Sequence, residues 1–264
     1  MQIMNADGYR GIFEASGHKL NDNGGVLLWK LNPAFPSVIW QIFDYYLAPN
    51  AGYYTMQAAC EKLHVQLNLN DSVVAVVNRQ YESFNNLMVD AAVYDINGMQ
   101  LFKQSSQLNI NESDVKETIS LAAVLSKYTE LSFVVLNLKD AKGNPVSHNV
   151  YWFEKDHNYQ EMKTIKPAKL DVTIIKKEKD NVNSSWTIKF YNSTKQIAFF
   201  VHPKFTDGKD EIFPGFWSGN YFTLAPGESI ILKAAYPNAL IANKKIQLKL
   251  SGWNRDDEMI SEIQ

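Results

Sequence analysis

Cysteine is almost missing from this sequence: Cys60 is the only one in 264 residues. A single thiol cannot form an internal disulfide, so packed cores have to stabilise the fold and the redox compartment cannot be inferred. A thiolate metal cluster is excluded for the same reason. Location is therefore undetermined, and we expect the periplasm or secretion only if a preceding segment carries a signal peptide.

Long apolar runs and an excess of one charge are missing too. No run approaches about 18 apolar residues, so no membrane span is predicted, and residues 1–17 do not have the pattern of a signal peptide. Lys and Arg total 26 against 28 Asp and Glu, giving a net charge of -2. This balance argues against nucleic acid as a partner. With 45% apolar and 20% charged residues, a globular fold is expected.

The sequence pattern changes near residue 70. Before it, apolar residues at helical spacing around residues 9–13 precede a short apolar run, Val26–Trp29, and a second helical pattern over Val38–Tyr46. A further helical segment is predicted for residues 51–64. The predicted order is helix, strand, helix, helix.

After residue 70, β-branched and aromatic runs predict strands, and Asn97-Gly98 and Gly143-Asn144 are typical of turns between them. The strand-like runs form two groups of about 90 residues each. Within each group, the spacing between strands is that of an Ig-like fold. We therefore predict two Ig-like β-sandwiches in series.

Two motifs make this sequence resemble a known family. They are W-x-L-N-P-x-x-P-S-x-x-W-Q-x-x-D-Y-Y, starting at Trp29, and N-Y-F-x-L-x-P-G-E-S, starting at Asn220. Together with "AACEKLHVQLNL" and "NVYWF", in this order, they resemble the C-terminal part of glycoside hydrolase family 2. The resemblance is to its branch of β-mannosidases, mannosylglycoprotein endo-β-mannosidases and exo-β-glucosaminidases.

The resemblance implies a mostly β chain in which the last strand-helix portion of a (β/α)8 barrel precedes the two sandwiches. Residues 1–70 would be the barrel portion, and residues 71–163 and 164–264 the two Ig-like domains. It implies a parent enzyme that cleaves β-mannosides or β-glucosaminides with retention. Carbohydrate would bind through that parent, with upstream barrel and sugar-binding domains as partners. An uncovered barrel edge further predicts a homo-oligomer or dependence on a partner fragment.

Retaining glycosidases use two carboxyl groups about 5 to 5.5 Å apart. The resemblance places both glutamates upstream of Met1, so we expect no catalytic residue, metal or cofactor in this chain. A complete barrel takes about 250 residues, and the chain alone is expected to be inactive. The alternative is a noncatalytic carbohydrate-binding or scaffolding pair of sandwiches.

Three residues are candidates for substrate binding. The resemblance places Trp29 in the pocket wall at the end of the eighth barrel strand, where an indole can stack on a sugar; the alternative is core packing. Asn32 lies near the same rim, or forms a turn before Pro33. Trp217, within "FPGFWSGNYF", belongs to a sandwich core, to interdomain packing or to a sugar platform.

Other conspicuous residues have simpler interpretations. Trp40, Tyr45 and Tyr46 fall at helical spacing and are predicted to be core residues. Cys60, Glu61 and His64 place metal-binding residue types within one turn of the predicted helix, but without further donors we expect a buried thiol and a helix-end histidine.

Overall fold

The computed structural model describes residues 1–37, 41–128, 130–154, 159–208 and 210–263. The chain divides into two compact units, which we describe separately. The first unit contains residues 4–28 and 55–165, and the second contains residues 1–3, 29–54 and 166–264. Both are built mainly from antiparallel strands.

The first unit holds a β-sandwich of two sheets with the strand orders β1-β2-β5 and β4-β3-β6-β7. Its strands are β1 Leu63–Asn68, β2 Val73–Asn78, β3 Phe84–Asp95, β4 Gln100–Ile110, β5 Asp114–Ser120, β6 Ser132–Lys139 and β7 Pro145–Phe153. Its helices are α1 Gln2–His18, which starts in the second unit, α2 Ala51–Ala59, which contains the division between the units, and α3 Ala122–Leu125. A 3-10 helix, Gln160–Thr164, follows β7.

Alternating apolar residues fill the core of the first sandwich. Val89, Ala91 and Val93 alternate along β3 and point into this core. Together with Val134 on β6, they are fully buried. The two predicted turns are confirmed: Gly98 and Gly143 have φ of 78° and 83°, which glycine adopts without a steric cost.

The apolar spacing around residues 9–13 does not coincide with the buried face of α1. Tyr9 is buried, but Ile12 is 55% exposed. The buried residues are Ala6, Tyr9, Arg10, Glu14 and Gly17. Two charged residues therefore lie on the helix face that packs on the sandwich, because partners on β1 and β7 satisfy them.

The second unit holds the second β-sandwich. Its strands are β8 Asp171–Lys179, β9 Asn183–Tyr191, β10 Ala198–Asp207, β11 Asp210–Glu211, β12 Phe216–Trp217, β13 Phe222–Leu224, β14 Ser229–Pro237, β15 Ile246–Gly252 and β16 Arg255–Ile263. One sheet has the order β12-β14-β9-β8, and the other has β11-β10-β15-β16 with β13 paired to β10. A short helix, α4 Asn238–Ile241, follows β14.

Aromatic side chains dominate the core of the second sandwich. The rings of Trp186 and Phe205 meet edge to face with centroids 4.9 Å apart, and Phe205 stacks on Tyr236 at the same distance. Tyr54, at the start of α2, belongs to this core and is 6% exposed.

Several predictions for residues 1–70 were wrong. Residues 26–29 form no strand, since a barrel strand needs paired neighbours and the described residues supply none. Of the helix predicted over residues 38–46, residues 41–46 are not helical, and residues 38–40, including Trp40, lie outside the described residues. Tyr45 and Tyr46 are 44% and 66% exposed rather than core residues.

The helix predicted over residues 51–64 ends early. It stops at Ala59, and β1 begins at Leu63, with Leu63, Val65 and Leu67 alternating with polar residues as a strand requires. Cys60 is exposed rather than buried. Among the described residues, no helix combines the length and apolarity needed to cross a bilayer.

Gly215 provides a test of the packing in the second sandwich. A Cβ at this position would lie 2.4 Å from two ring carbons of Tyr236. The ring is 1% exposed and its hydroxyl accepts a hydrogen bond from Trp217 Nε1, so it cannot move aside. We expect Gly215→Ala to lower the free energy of unfolding by about 1 to 3 kcal/mol, measured by urea denaturation followed by tryptophan fluorescence.

The matched control is Gly24→Ala, where an added Cβ meets nothing within 4 Å. Its effect is expected to stay within about 0.5 kcal/mol. Equal stability of the two variants would contradict the packing described for Tyr236.

Candidate functional site

Trp29 lies in an exposed, irregular segment of the second unit. Its side chain is 79% exposed, and Lys30 beside it has a φ of 73°. Leu31 and Phe35 are also exposed, by 56% and 64%. Core packing within the described structure therefore does not account for Trp29, and an apolar surface surrounds it.

Asn32 has a local role in the same segment. Its Nδ2 donates a hydrogen bond to the carbonyl oxygen of Pro33 at 3.2 Å, and its side chain is half-buried. This contact is the kind that an asparagine makes in a turn.

Trp217 lies in the core of the second sandwich. It is 5% exposed, its Nε1 donates to the hydroxyl of Tyr236 at 3.0 Å, and its ring meets Phe205 edge to face at 5.3 Å. Of the three interpretations of the "FPGFWSGNYF" segment, core packing accounts for Trp217. Trp217 and Trp29 are therefore in opposite environments within the second unit.

A highly connected cluster of polar side chains among the described residues was not predicted from the sequence. It lies in the first unit, where α1 packs against β1 and β7, and we call it the His64 cluster. Its members are Glu14, Glu61, His64, Ser147, Asn149 and Tyr151. His64 Nε2 lies 3.2 Å from Glu14 Oε1, and His64 Nδ1 lies 3.1 Å from Glu61 Oε2.

Strand geometry aligns the β7 members of the cluster. Ser147, Asn149 and Tyr151 alternate along β7 and therefore point to one side. Ser147 Oγ donates to Glu61 at 2.6 Å, Asn149 Nδ2 donates to Glu14 at 2.7 Å, and the Tyr151 hydroxyl donates to Glu14 at 2.7 Å. The carboxylates of Glu14 and Glu61 thus each accept a bond from β7 and also lie within hydrogen-bond distance of His64.

Arg10 adds a cation on the same helix face, one turn before Glu14. Its guanidinium lies 4.4 Å from the ring centroids of both Tyr151 and Trp152, and Nη1 donates to the carbonyl of Val150 at 2.6 Å. Asp7 pairs with Arg10 and accepts a hydrogen bond from Trp152 Nε1 at 3.1 Å. Burial raises the pKa of Asp7 more than its pairing with Arg10 lowers it.

Burial sets the chemistry of the cluster. Burial raises the pKa of the Tyr151 hydroxyl far above its usual range, and the neighbouring Glu14 charge raises it further, so Tyr151 acts as a neutral donor. His64 is 0% exposed and the side chain of Glu14 is 6% exposed. A substrate cannot reach His64 or Glu14, so these two groups support the fold rather than catalysis.

No group of three or more His, Cys, Asp or Glu side chains within the described ranges is arranged to hold a metal ion. The C-E-x-x-H motif therefore has a structural explanation: His64 lies on β1 and bonds Glu61 in the preceding loop. The signal for the cluster was the polar alternation of His64 and Gln66 in β1. Buried polar positions there require partners, and α1 supplies them.

Each of the two sandwiches matches a known family model. Residues 71–156 match the family model described as a mannosidase Ig/CBM-like domain, and residues 149–255 match the exo-β-D-glucosaminidase Ig-fold domain. The two matches together cover most of the chain.

Curated relatives are much longer than this chain. An exo-β-D-glucosaminidase of Arthroderma benhamiae is 26% identical over 98% of this chain, and the match covers 31% of that protein. A mannosylglycoprotein endo-β-mannosidase of Lilium longiflorum is 24% identical over 98% of this chain and 34% of its own length. The chain therefore spans about a third of the length of these relatives.

A solved structure shows the same fold. The exo-chitosanase CsxA of Amycolatopsis orientalis superposes with a TM-score of 0.89 at 23% identity, over 98% of this chain and 34% of that chain. The two family models, the relatives and the fold agree with the two sequence motifs. The chain therefore belongs to the exo-β-glucosaminidase and β-mannosidase branch of glycoside hydrolase family 2, and corresponds to its C-terminal, Ig-like part.

Proposed function

We propose that this chain is the C-terminal part of a retaining β-glycoside hydrolase whose catalytic carboxylates lie outside residues 1–264. β-Glucosaminides are the favoured substrates over β-mannosides. The observation that carries this choice is the match of residues 149–255 to an exo-β-D-glucosaminidase Ig-fold domain. In this proposal, residues 1–70 include the remaining portion of the catalytic barrel, whereas β1 within this range belongs to the first sandwich.

The carboxylates of residues 1–70 support a catalytic centre elsewhere, because each already has a structural partner. Asp7 pairs with Arg10, Glu14 and Glu61 belong to the His64 cluster, Asp22 lies 3.9 Å from Lys19 Nζ, and Asp44 accepts a hydrogen bond from the backbone of Ala48 at 2.9 Å. A catalytic pair instead needs two carboxyl groups that face an open substrate site.

The exposed apolar residues on the outward face of α1 support the proposal that another segment packs on this helix in the parent protein. Met4, Gly8 and Ile12 lie four residues apart on one face of α1, and the two larger side chains are 77% and 55% exposed. A Cβ at Gly8 would meet nothing within 4 Å. Leu27, in the same unit, is 100% exposed. Such apolar exposure fits a helix that another part of a barrel covers in the parent enzyme.

The first prediction concerns activity. The purified chain is expected to hydrolyse neither nitrophenyl β-D-glucosaminide nor nitrophenyl β-D-mannoside above background, because it has no catalytic carboxyl pair. When the chain is joined to the segment that precedes it in its own reading frame, glucosaminide hydrolysis should appear and exceed mannoside hydrolysis.

Turnover by the chain alone, lost on substitution of one of its own carboxylates, would overturn the proposal. A preceding segment without a barrel, combined with sugar binding by the chain, would favour the alternative of a noncatalytic carbohydrate-binding or scaffolding module. Size-exclusion chromatography of the chain alone tests the expectation of self-association, which a monomer at all concentrations would contradict.

Gly8 distinguishes an exposed helix face from one that is covered in the parent. In the isolated chain, Gly8→Ala should raise the free energy of unfolding by about 0.5 to 1 kcal/mol, since alanine favours helix and the added Cβ meets nothing. In the joined protein, the same change should lose this gain, because the methyl group would contact the covering segment. An equal gain in both proteins would contradict a covered face.

Trp29 is the residue that we propose contacts substrate. Trp29→Ala in the joined protein should lower kcat/KM by about tenfold to a thousandfold, because an indole that stacks on the sugar also orients it in the transition state. In the isolated chain, the same change should cost less than about 1 kcal/mol of stability, since the side chain is 79% exposed.

Trp217→Ala is the matched control. It removes a buried indole and should cost about 3 to 5 kcal/mol of unfolding free energy. Normal kcat/KM in the Trp29 variant, with a large loss of stability, would contradict the assignment of Trp29 to the sugar pocket.

A further inference from the structure

The two ring nitrogens of His64 both face carboxylate oxygens, at 3.1 Å for Nδ1 and 3.2 Å for Nε2. An ionised carboxylate only accepts hydrogen bonds, so each nitrogen has to carry a proton to bond it. A neutral imidazole has one such proton and would turn a lone pair toward one of the glutamates.

Neighbouring donors do not relieve this conflict. Ser147 Oγ and Asn149 Nδ2 each lie 3.4 Å from a ring nitrogen of His64. However, Ser147 donates to Glu61 at 2.6 Å, and Asn149 has closer acceptors in Glu14 at 2.7 Å and the Tyr151 hydroxyl at 2.9 Å. These donors already bond other acceptors. His64 therefore satisfies both carboxylates only as an imidazolium, with a proton on each ring nitrogen.

We propose that Glu14, His64 and Glu61 form a proton-dependent latch that holds α1 on the first sandwich. The doubly protonated ring of His64 joins Glu14 on α1 to β1 and to Glu61 in the loop before it. Loss of one proton breaks one of the two bonds and leaves either the buried Glu14 or the half-buried Glu61 with one donor fewer. The hold of β1 on the helix is then weakened.

The other charges around the latch do not replace the lost proton. On α1, Asp7 and Arg10 pair with each other. At the end of β2, Arg79 donates to the carbonyl of Glu61 at 3.3 Å rather than to its carboxylate.

The remaining titratable neighbours are Cys60, which is exposed but whose pKa is raised by partial burial of its thiol, and Tyr151 on β7, whose pKa is also raised. Both are neutral near pH 7. His64 is therefore the group of the latch that changes charge at this pH.

The direction of the pH dependence follows from His64. Burial alone lowers its pKa, but the hydrogen bonds and charges of Glu14 and Glu61 outweigh burial and raise the pKa above 6.5. A group with a raised folded pKa stabilises the fold fully below its unfolded pKa and loses that effect as the pH rises through the folded pKa. The latch is therefore closed below about pH 6.5 and opens as the pH rises through the raised pKa of His64.

Hydrogen exchange measures the opening directly. Amide protection of α1, corrected for intrinsic rates, should fall by up to about tenfold per pH unit as the pH rises from about 6.5 through the raised pKa of His64, as expected for one linked proton. Protection of β9 and β14 in the second sandwich should change much less. The double variant Glu14→Gln/Glu61→Gln, which lets His64 stay neutral, should show a flat profile for α1.

The control variant is Glu117→Gln, which removes the carboxylate 3.7 Å from His18 in the same unit, at a half-exposed position. Its α1 profile should match that of the unsubstituted chain. A flat α1 profile in the unsubstituted chain, or an unchanged slope in the double variant, would overturn the proposal.

A second measurement does not depend on any variant folding well. In chain labelled with ¹⁵N-histidine, the nitrogen spectrum reports the protonation of each of the five histidine rings. One ring, protected from solvent exchange, should keep protons on both nitrogens to a higher pH than the other rings do. If no ring does so, the latch does not exist.

Discussion

The free edge of β1 is the constraint around which the first unit is arranged. Among the described strands, β1 lies at the end of its sheet and pairs with β2 alone, so its other edge carries backbone groups without a strand partner there. Side chains of β7 satisfy them: Ser147 Oγ accepts from Val65 N at 3.2 Å, and the Tyr151 hydroxyl accepts from Leu67 N at 2.9 Å. Asn149 Nδ2 donates to the carbonyl of Val65 at 3.2 Å. The sandwich is thus closed at this edge by side chains rather than by another strand.

Closing the edge in this way places polar atoms where α1 covers them. The β7 side chains that bond β1 also donate to Glu14 and Glu61, and Gln66 Nε2 donates to the carbonyl of Glu14 at 3.1 Å. Buried charges are costly unless they are paired and hydrogen-bonded, and removing one partner typically costs about 3 to 5 kcal/mol. We infer that the charged contacts fix the position of α1 because each carboxylate has to meet its own set of donors.

Sequence patterns predicted the parts of the fold that depend on local alternation. β2, β3, β4, β6 and β7 and most strands of the second sandwich lie in the runs of β-branched and aromatic residues, and the turns at Gly98 and Gly143 lie where predicted. The failures fall where a segment depends on a distant partner. Residues 26–29 have the composition of a strand but no neighbour to pair with in the described ranges, and β1 was hidden because its polar positions are buried by a helix about 50 residues earlier. The candidate site residues also differ in how far the sequence predicts them. Burial of Trp217 follows from alternation in a strand, whereas the proposed role of Trp29 depends on residues that no pattern in this chain describes.

The segments before residue 71 complete both sandwiches, and this bears on what an Ig-like module of this kind can do by itself. The mannosidase-type family match begins at residue 71, yet the sheet of the first sandwich includes β1, and its closed edge includes α1. Within the second unit, Tyr54 belongs to the core and Tyr53 packs on it, with the ring of Phe43 5.1 Å from Tyr53. Neither sandwich is therefore a free-standing domain bounded by its family match.

Because the same preceding residues would also belong to the catalytic barrel, the proposal makes each sandwich continuous with the barrel through packed side chains. A noncatalytic module would have to keep residues 1–70 for stability while leaving their apolar faces at Ile12, Leu27 and Trp29 exposed. Since exposed apolar surface of this kind favours association, the barrel-bearing enzyme accounts for more of the structure than the isolated module does.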